Sequence, residues 1–224
     1  MKSLTSLPDA FPEGEAHFFI PGPTGRLETI TLSAATPLQS SKGVAVICHP
    51  HPLKEGTMHN KVVHTLSRAF VQKGIDAVRF NYRGVGESEG TFGNSIGETA
   101  DLISVLRWID AVHPHVPIYL AGFSFGCYIA AMGATQHTCH QLFSIAPAVN
   151  HQPFDQLPPI QCPWLVIQGE NDEVVPPEAV YTWFERAHQT AQAPMECVRF
   201  PDTSHFFHSK LILLRETIGS ALLL

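Results

Sequence analysis

The sequence predicts an α/β fold, a mostly parallel sheet with helices on both faces. Three observations carry that reading. Apolar runs of strand length recur along the chain, and the run VAVIC at 44–48 is apolar at every position, as a strand buried on both faces must be. Segments with helical periodicity lie between these runs, and alternation at that spacing implies right-handed crossovers that cover the sheet on both sides. The composition is globular: 44% hydrophobic against 15% charged excludes a disordered chain, which needs the reverse balance.

The 224 residues fit one domain spanning 1–224, with residues 1–14 a loosely ordered polar lead-in. A chain of this length buries roughly 70–75% of its unfolded surface and needs neither a disulfide nor a structural metal. EAHFFI and RLETITL flank PGPTG and read as a hairpin, the antiparallel edge of the sheet. The polar stretch TPLQSSKG connects it to VAVIC. Residues 58–73 set Val62, Leu66, Ala69 and Phe70 on one helical face, and Gly74 ends that helix. IDAVRF (75–80) is a strand and 81–94 a glycine-rich loop. A helix over 96–111 sets Ala100, Ile103, Leu106 and Ile109 on its apolar face. VPIYLAG (116–122) is a strand that turns tightly into a helix ending near 136. QLFSIAP and CPWLVIQG are strands, 177–190 a helix, MECVRF a strand, and 208–223 the last helix.

Charge and cysteine usage exclude several classes of function. The net charge is −6, and the 14 Lys and Arg residues are scattered, so no basic stripe marks a nucleic-acid or anionic-membrane partner. No apolar stretch approaches the roughly 18 residues of a membrane span, and the first residues lack the apolar core of a signal peptide. Five cysteines, an odd number without C-x-x-C spacing, read as reduced and mostly buried thiols of a cytoplasmic protein.

The motif that carries chemistry is GFSFG at 122–126, which fits G-x-S-x-G. A strand precedes it and a helix follows, the context a nucleophile elbow requires. Ser124 then sits in a strained strand-to-helix turn at the carboxyl end of the sheet. The Phe125 N–H points to the same place, at the positive end of the helix. A serine hydroxyl needs a base, and a base needs an orienting acid. Downstream, Asp172 follows the strand WLVIQG in ENDEVVP, and His205 follows MECVRF in PDTSHFFH. Both fall at carboxyl ends of strands, where an open α/β sheet builds its site. Glu170 and Glu173 compete with Asp172 but read as solvated charges, and His208 competes with His205 but reads as the start of the last helix. Ser124 is therefore the expected nucleophile, His205 the base and Asp172 its orienting acid. A second oxyanion donor is expected from HPHPLKEGTMHN; Pro50 and Pro52 have no N–H, which leaves His51, closest to the strand end, or Leu53.

With these residues in view, the chain resembles the α/β-hydrolase fold serine hydrolases. Within them it is similar to a group of small bacterial esterase-like proteins that carry an HPHPL-x-x-GTM-x-NKVV segment and an RFN-[YF]-RGVG-x-S-x-G segment. Here these read HPHPLKEGTMHNKVV (49–63) and RFNYRGVGESEG (79–90). The resemblance covers about residues 15–215. It implies the same Ser124, Asp172 and His205 and an oxyanion contribution from the first segment. The interval from Ser124 to Asp172 is filled by a helix, two strands and a Pro-rich loop, so no large cap domain is expected. The site is expected to be open, walled by the loops 81–94 and 150–160.

Other readings of the same residues are weaker on chemistry. RGVGESEG is one residue too long for a dinucleotide fingerprint and does not follow the first strand; its Arg83 and Glu87 read as structural polar groups. The thirteen histidines include no zincin pattern, and His49 reads as a loop histidine bonded to backbone. No cofactor and no metal are expected. The expected activity is cleavage of carboxylic esters or thioesters of a small-molecule acyl substrate. Phe92, Phe125, Phe154, Phe206 and Phe207 suggest an apolar group on that substrate. An amide or peptide hydrolase, or a catalytically silent ligand-binding protein of the same fold, are the alternatives.

Overall fold

A computed structural model describes residues 2–3, 6–34 and 41–223. Residues 1, 4–5, 35–40 and 224 lie outside the described residues, and with them most of the connection at 36–43. Among the described residues nine strands form one sheet: β1 (Lys2–Ser3), β2 (Glu15–Gly22), β3 (Gly25–Leu32), β4 (Val44–Cys48), β5 (Asp76–Phe80), β6 (Ile118–Phe123), β7 (Gln141–Ile145), β8 (Trp164–Gly169) and β9 (Met195–Phe200). Their order is β1-β2-β3-β5-β4-β6-β7-β8-β9. The six strands from β5 to β9 run parallel, while β3 pairs antiparallel with both β2 and β5. The hairpin is thus the antiparallel extension that the sequence predicts.

The helices are α1 (Lys61–Val71), α2 (Ile96–Val112), α3 (Phe125–Gln136), α4 (Pro177–Thr190) and α5 (Leu211–Ala221). Strand pleating sends successive side chains into two cores. Val44, Val46 and Cys48 of β4 enter the core shared with Leu102, Ile129 and Trp183 of α2, α3 and α4; Ala45 and Ile47 enter the core shared with Val62, Phe70, Leu214 and Ile218 of α1 and α5. Between Ser124 and Asp172 the described residues hold only α3, β7, a single 3-10 turn at Phe154–Gln156, and β8. No cap domain is inserted there.

Three local readings differ from the structure. The apolar face of α2 is rotated: Ala100 and Ile103 are only half-buried, and Leu102, Val105, Leu106 and Ile109 fill the core. The rotation buries Asp101 completely, against the rule for a carboxylate, because Arg83 closes on it. The guanidinium Nη2 donates to Asp101 Oδ1 at 2.7 Å, and the Arg83 backbone N–H donates to Oδ2 at 2.9 Å. The lead-in is also tied down. Lys2–Ser3 pairs with β2, Trp108 Nε1 donates to the Pro8 carbonyl, and the Phe11 ring lies 5.9 Å from the Trp108 ring. Finally, α5 starts at Leu211, because Phe207 (φ +54°) and Ser209 (φ +61°) are left-handed and cannot be helical.

The Arg83–Asp101 pair sets a contrast with the exposed pair Arg186–Asp155. Asp101→Ala leaves a guanidinium largely buried and unpaired, and costs about 3–5 kcal/mol in urea unfolding. Asp155→Ala costs under about 1 kcal/mol. Equal losses in the two variants would contradict this assignment.

Candidate active site

The site sits where the strand order reverses. The chain passes from β4 to β5 on one side and returns to β6 on the other, so β4 and β6 lie adjacent and Cys48 pairs with Gly122. Loops leaving such neighbouring strand ends diverge and open a crevice. Here they are the HPHPL loop and the GFSFG turn.

Ser124 occupies that turn with φ +54° and ψ −117°, a conformation costing on the order of 1–3 kcal/mol for a residue with a Cβ. The surroundings hold it there. The Ser124 N–H donates to the Ile145 carbonyl at 2.9 Å, and the Ser124 carbonyl accepts from the Cys127 N–H at 3.1 Å. A Cβ at Gly122 would fall inside the backbone of Gly126, and one at Gly126 inside the carbonyls of Cys48 and His49. Both glycines of the motif are thus required by close approach, and the second presses the elbow against the end of β4.

His205 and Asp172 come together beside this turn. Asp172 Oδ2 accepts from His205 Nδ1 at 2.8 Å, and both residues are buried. That bond assigns the tautomer with the proton on Nδ1, leaving Nε2 with a free lone pair; Nε2 has no partner among the described residues. The imidazole packs 5.0 Å from the ring of Phe123, the residue before Ser124. The Ser124 hydroxyl has no hydrogen-bond partner among the described residues. Asp172 receives three further hydrogen bonds, from Gln168 Nε2 (3.0 Å), the Val174 N–H (2.9 Å) and the Val175 N–H (2.7 Å). Burial pushes its carboxyl pKa up, but the His205 bond and charge and the two backbone donors outweigh it and hold it below the usual carboxylate range.

Glu173, read from sequence as a solvated charge, accepts a hydrogen bond from the His205 N–H at 3.1 Å. Glu170 is exposed, as is His208. Gln168 is the other contributor that sequence reasoning missed, because nothing in an apolar strand marks its one amide.

The two residues expected to supply oxyanion donors touch through their rings. The His51 ring packs 4.9 Å from the Phe125 ring and 5.2 Å from Phe92. Neither the Phe125 nor the His51 backbone N–H has an acceptor among the described residues. The Leu53 N–H, the alternative, is taken by His51 Nδ1 at 3.1 Å. Beneath this loop His49 is fully buried. Its Nδ1 donates to the Pro50 carbonyl at 2.7 Å and its Nε2 accepts from the Tyr82 N–H at 3.2 Å, while Tyr82 Oη donates to the His49 carbonyl at 3.3 Å. Burial lowers its pKa to about 3, so His49 is a neutral clamp.

The walls are partly as expected. Ser95 Oγ donates to Gln152 Oε1 at 2.9 Å and joins the ends of the loops 81–94 and 150–160. Phe206 is exposed at the rim, while Phe92 is half-buried against His51 and Phe125. Phe207 instead packs on Phe200 in the core, and Phe154 packs between Tyr128 and Trp183, since both are buried by the sheet-side contacts of their loops. Among the described residues one set of side-chain donors lies within metal-ligating reach, His17, Glu28 and Glu87. It includes no expected site residue, and Glu28 is already bonded to His17, to Asn81 Nδ2 and to the Glu87 N–H.

A strained serine at a strand-to-helix turn on an α/β sheet defines a serine hydrolase of the α/β-hydrolase fold. The family model described as serine aminopeptidase, S33, matches residues 39–161, and one described as the prolyl oligopeptidase family matches 140–215. The chain belongs to the S33 family of α/β serine hydrolases. A Xanthomonas campestris structure, described as an α/β serine hydrolase without lid, is 41% identical over 95% of each chain with a TM-score of 0.87. An α/β serine hydrolase homologue from Coxiella burnetii is 42% identical over 96% of this chain and 100% of that one, with a TM-score of 0.88. An uncharacterised Rickettsia prowazekii protein is 34% identical over 195 residues, 84% of this chain and 81% of its own. No helix among the described residues is long and apolar enough to cross a membrane.

His49 generates a pH prediction. Its folded pKa is depressed from about 6.5 to about 3, so its contribution to stability is complete above pH ~6.5 and is lost as pH falls toward 3. Between pH 6.5 and 5 this one group removes about 2 kcal/mol from the unfolding free energy. Urea titrations of wild type and His49→Gln across that window check it: the variant has the shallower slope, and parallel slopes would exclude His49 as the source.

Proposed function

We propose that the protein hydrolyses carboxylic esters or thioesters through an acyl intermediate on Ser124. The observation that carries the reading is the 2.8 Å bond from His205 Nδ1 to Asp172, which leaves Nε2 open as a base beside the strained serine. In this mechanism Ser124 Oγ attacks the acyl carbon as Nε2 takes its proton. Asp172 holds the imidazole in orientation and stabilises the imidazolium. The carbonyl oxygen becomes an oxyanion between the N–H groups of Phe125 and His51; one such donor is worth about 3–4 kcal/mol in the transition state. His205 returns the proton to the departing alcohol or thiol, and water then repeats the sequence to release the acid.

A substrate with an apolar acyl or alcohol group fits the rim, where Phe206 is exposed and Phe92 half-buried. The lidless description of the Xanthomonas relative supports an open site here as well. The same apparatus cleaves amides, and the S33 family description makes an aminoacyl amide the second substrate to try.

Hydrolysis of p-nitrophenyl acetate, butyrate and octanoate by wild type, Ser124→Ala and Asp172→Asn tests the proposal. Ser124→Ala lowers kcat by at least about 10³-fold, and Asp172→Asn by about 10²–10⁴-fold. A fluorophosphonate probe labels Ser124 in wild type. Equal rates in wild type and Ser124→Ala refute the acyl-serine route, and an unlabelled protein points to a silent binder.

A further inference from the structure

At the edge of the sheet opposite Ser124, two thiols meet. Cys139 lies just before β7 and Cys162 just before β8, and these strands are hydrogen-bonded neighbours. Leu142 is in register with Trp164, and the Leu142 N–H donates to the Pro163 carbonyl at 2.9 Å. Extending that register backward sets Cys139 beside the 161–162 segment. Both cysteines line one surface hollow together with His137 and Gln161. The two thiols interact across this hollow, and the Cys139 thiol donates to the Gln141 carbonyl at 3.2 Å. Cys162, itself 5% exposed, also lines a separate cavity of about 400 Å³ with Trp164 and Trp183.

The other three cysteines lack such a partner arrangement. Cys48 and Cys127 are fully buried, and burial pushes the Cys48 thiol pKa up to about 12. Burial pushes Cys197 up to about 11. Cys162 moves the other way: its interaction with Cys139 lowers it against the effect of burial, and the same interaction, with burial, raises Cys139. One sulfur of the pair is thus favoured as thiolate and the other as the resolving thiol.

We propose that Cys139 and Cys162 form an oxidant-sensitive dithiol that closes to an intramolecular disulfide on reaction with a hydroperoxide. The Cys162 thiolate attacks the peroxide; the O–O bond breaks, the departing hydroxide takes up the proton that Cys162 gave up and leaves as water, and a sulfenic acid remains on Cys162. The Cys139 sulfur then displaces the sulfenic oxygen, the S–S bond forms, and the oxygen departs as a second water with the Cys139 proton. Two thiols lose two electrons and one hydrogen peroxide gains them. The bridge ties the starts of β7 and β8, away from Ser124.

The full-length protein, folded and treated with hydrogen peroxide, tests this. After quenching and denaturation, titratable thiols fall from five to three and the intact mass falls by about 2 Da. Chymotryptic mapping finds Cys139 linked to Cys162; trypsin does not separate them, since no Lys or Arg lies between Arg107 and Arg186. In Cys139→Ser, dimedone traps a sulfenic acid on Cys162 instead. Five thiols remaining in the treated wild type, a link between Cys48 and Cys127, or loss of the same two thiols in Cys139→Ser would each overturn the proposal. The wild-type map decides even if a variant folds poorly.

Discussion

The contact on which the rest of the structure depends is the approach of Gly126 to the carbonyls of Cys48 and His49. It brings two backbones together with no side chain between them. The first turn of α3 is thereby pressed onto the end of β4, and the loops that leave β4 and β6 share one crevice. Ser124 is held in a left-handed conformation by this packing and by the hydrogen bond of its N–H to β7. The strain is local, and the neighbouring strands over-determine it.

Around that contact the buried polar groups divide by charge. His49 has one donor and one acceptor, both met by neutral backbone groups, so burial keeps it uncharged. Asp172 is as deeply buried but gathers four donors, so it stays ionised. Similar burial thus gives opposite outcomes, decided by what the neighbours donate. The neutral clamp fixes the loop that ends in the free His51 N–H, and the ionised carboxylate fixes the imidazole of His205. Glu173 adds a second hold on the backbone of that histidine.

Much of this was legible in the chain because it depends on local pattern. Strand–helix alternation follows from period, and the elbow follows from two glycines flanking a serine between a strand and a helix. What escaped was what depends on partners. Nothing local marks Asp101 for burial; Arg83, 18 residues earlier, closes on it, and with it the apolar face of α2 turns away from the one that periodicity suggests. Phe207 and Phe206 are identical in type and adjacent; only the left-handed turn at Phe207 sends one ring into the core and the other to the rim. Residues 1–14 look featureless, yet Pro8 and Phe11 are held by Trp108, about a hundred positions away.

The amino-acid order by itself determined the class of fold, the strained serine turn and the placement of Asp172 and His205 just past strand ends, because backbone geometry and periodicity are short-range properties. Only the tertiary structure decided that β4 lies between β5 and β6, that His51 rather than Leu53 keeps an unspent N–H, and that Cys139 meets Cys162. Those outcomes rest on strand order and register, which are fixed by contacts between segments distant in sequence and carry no local signature.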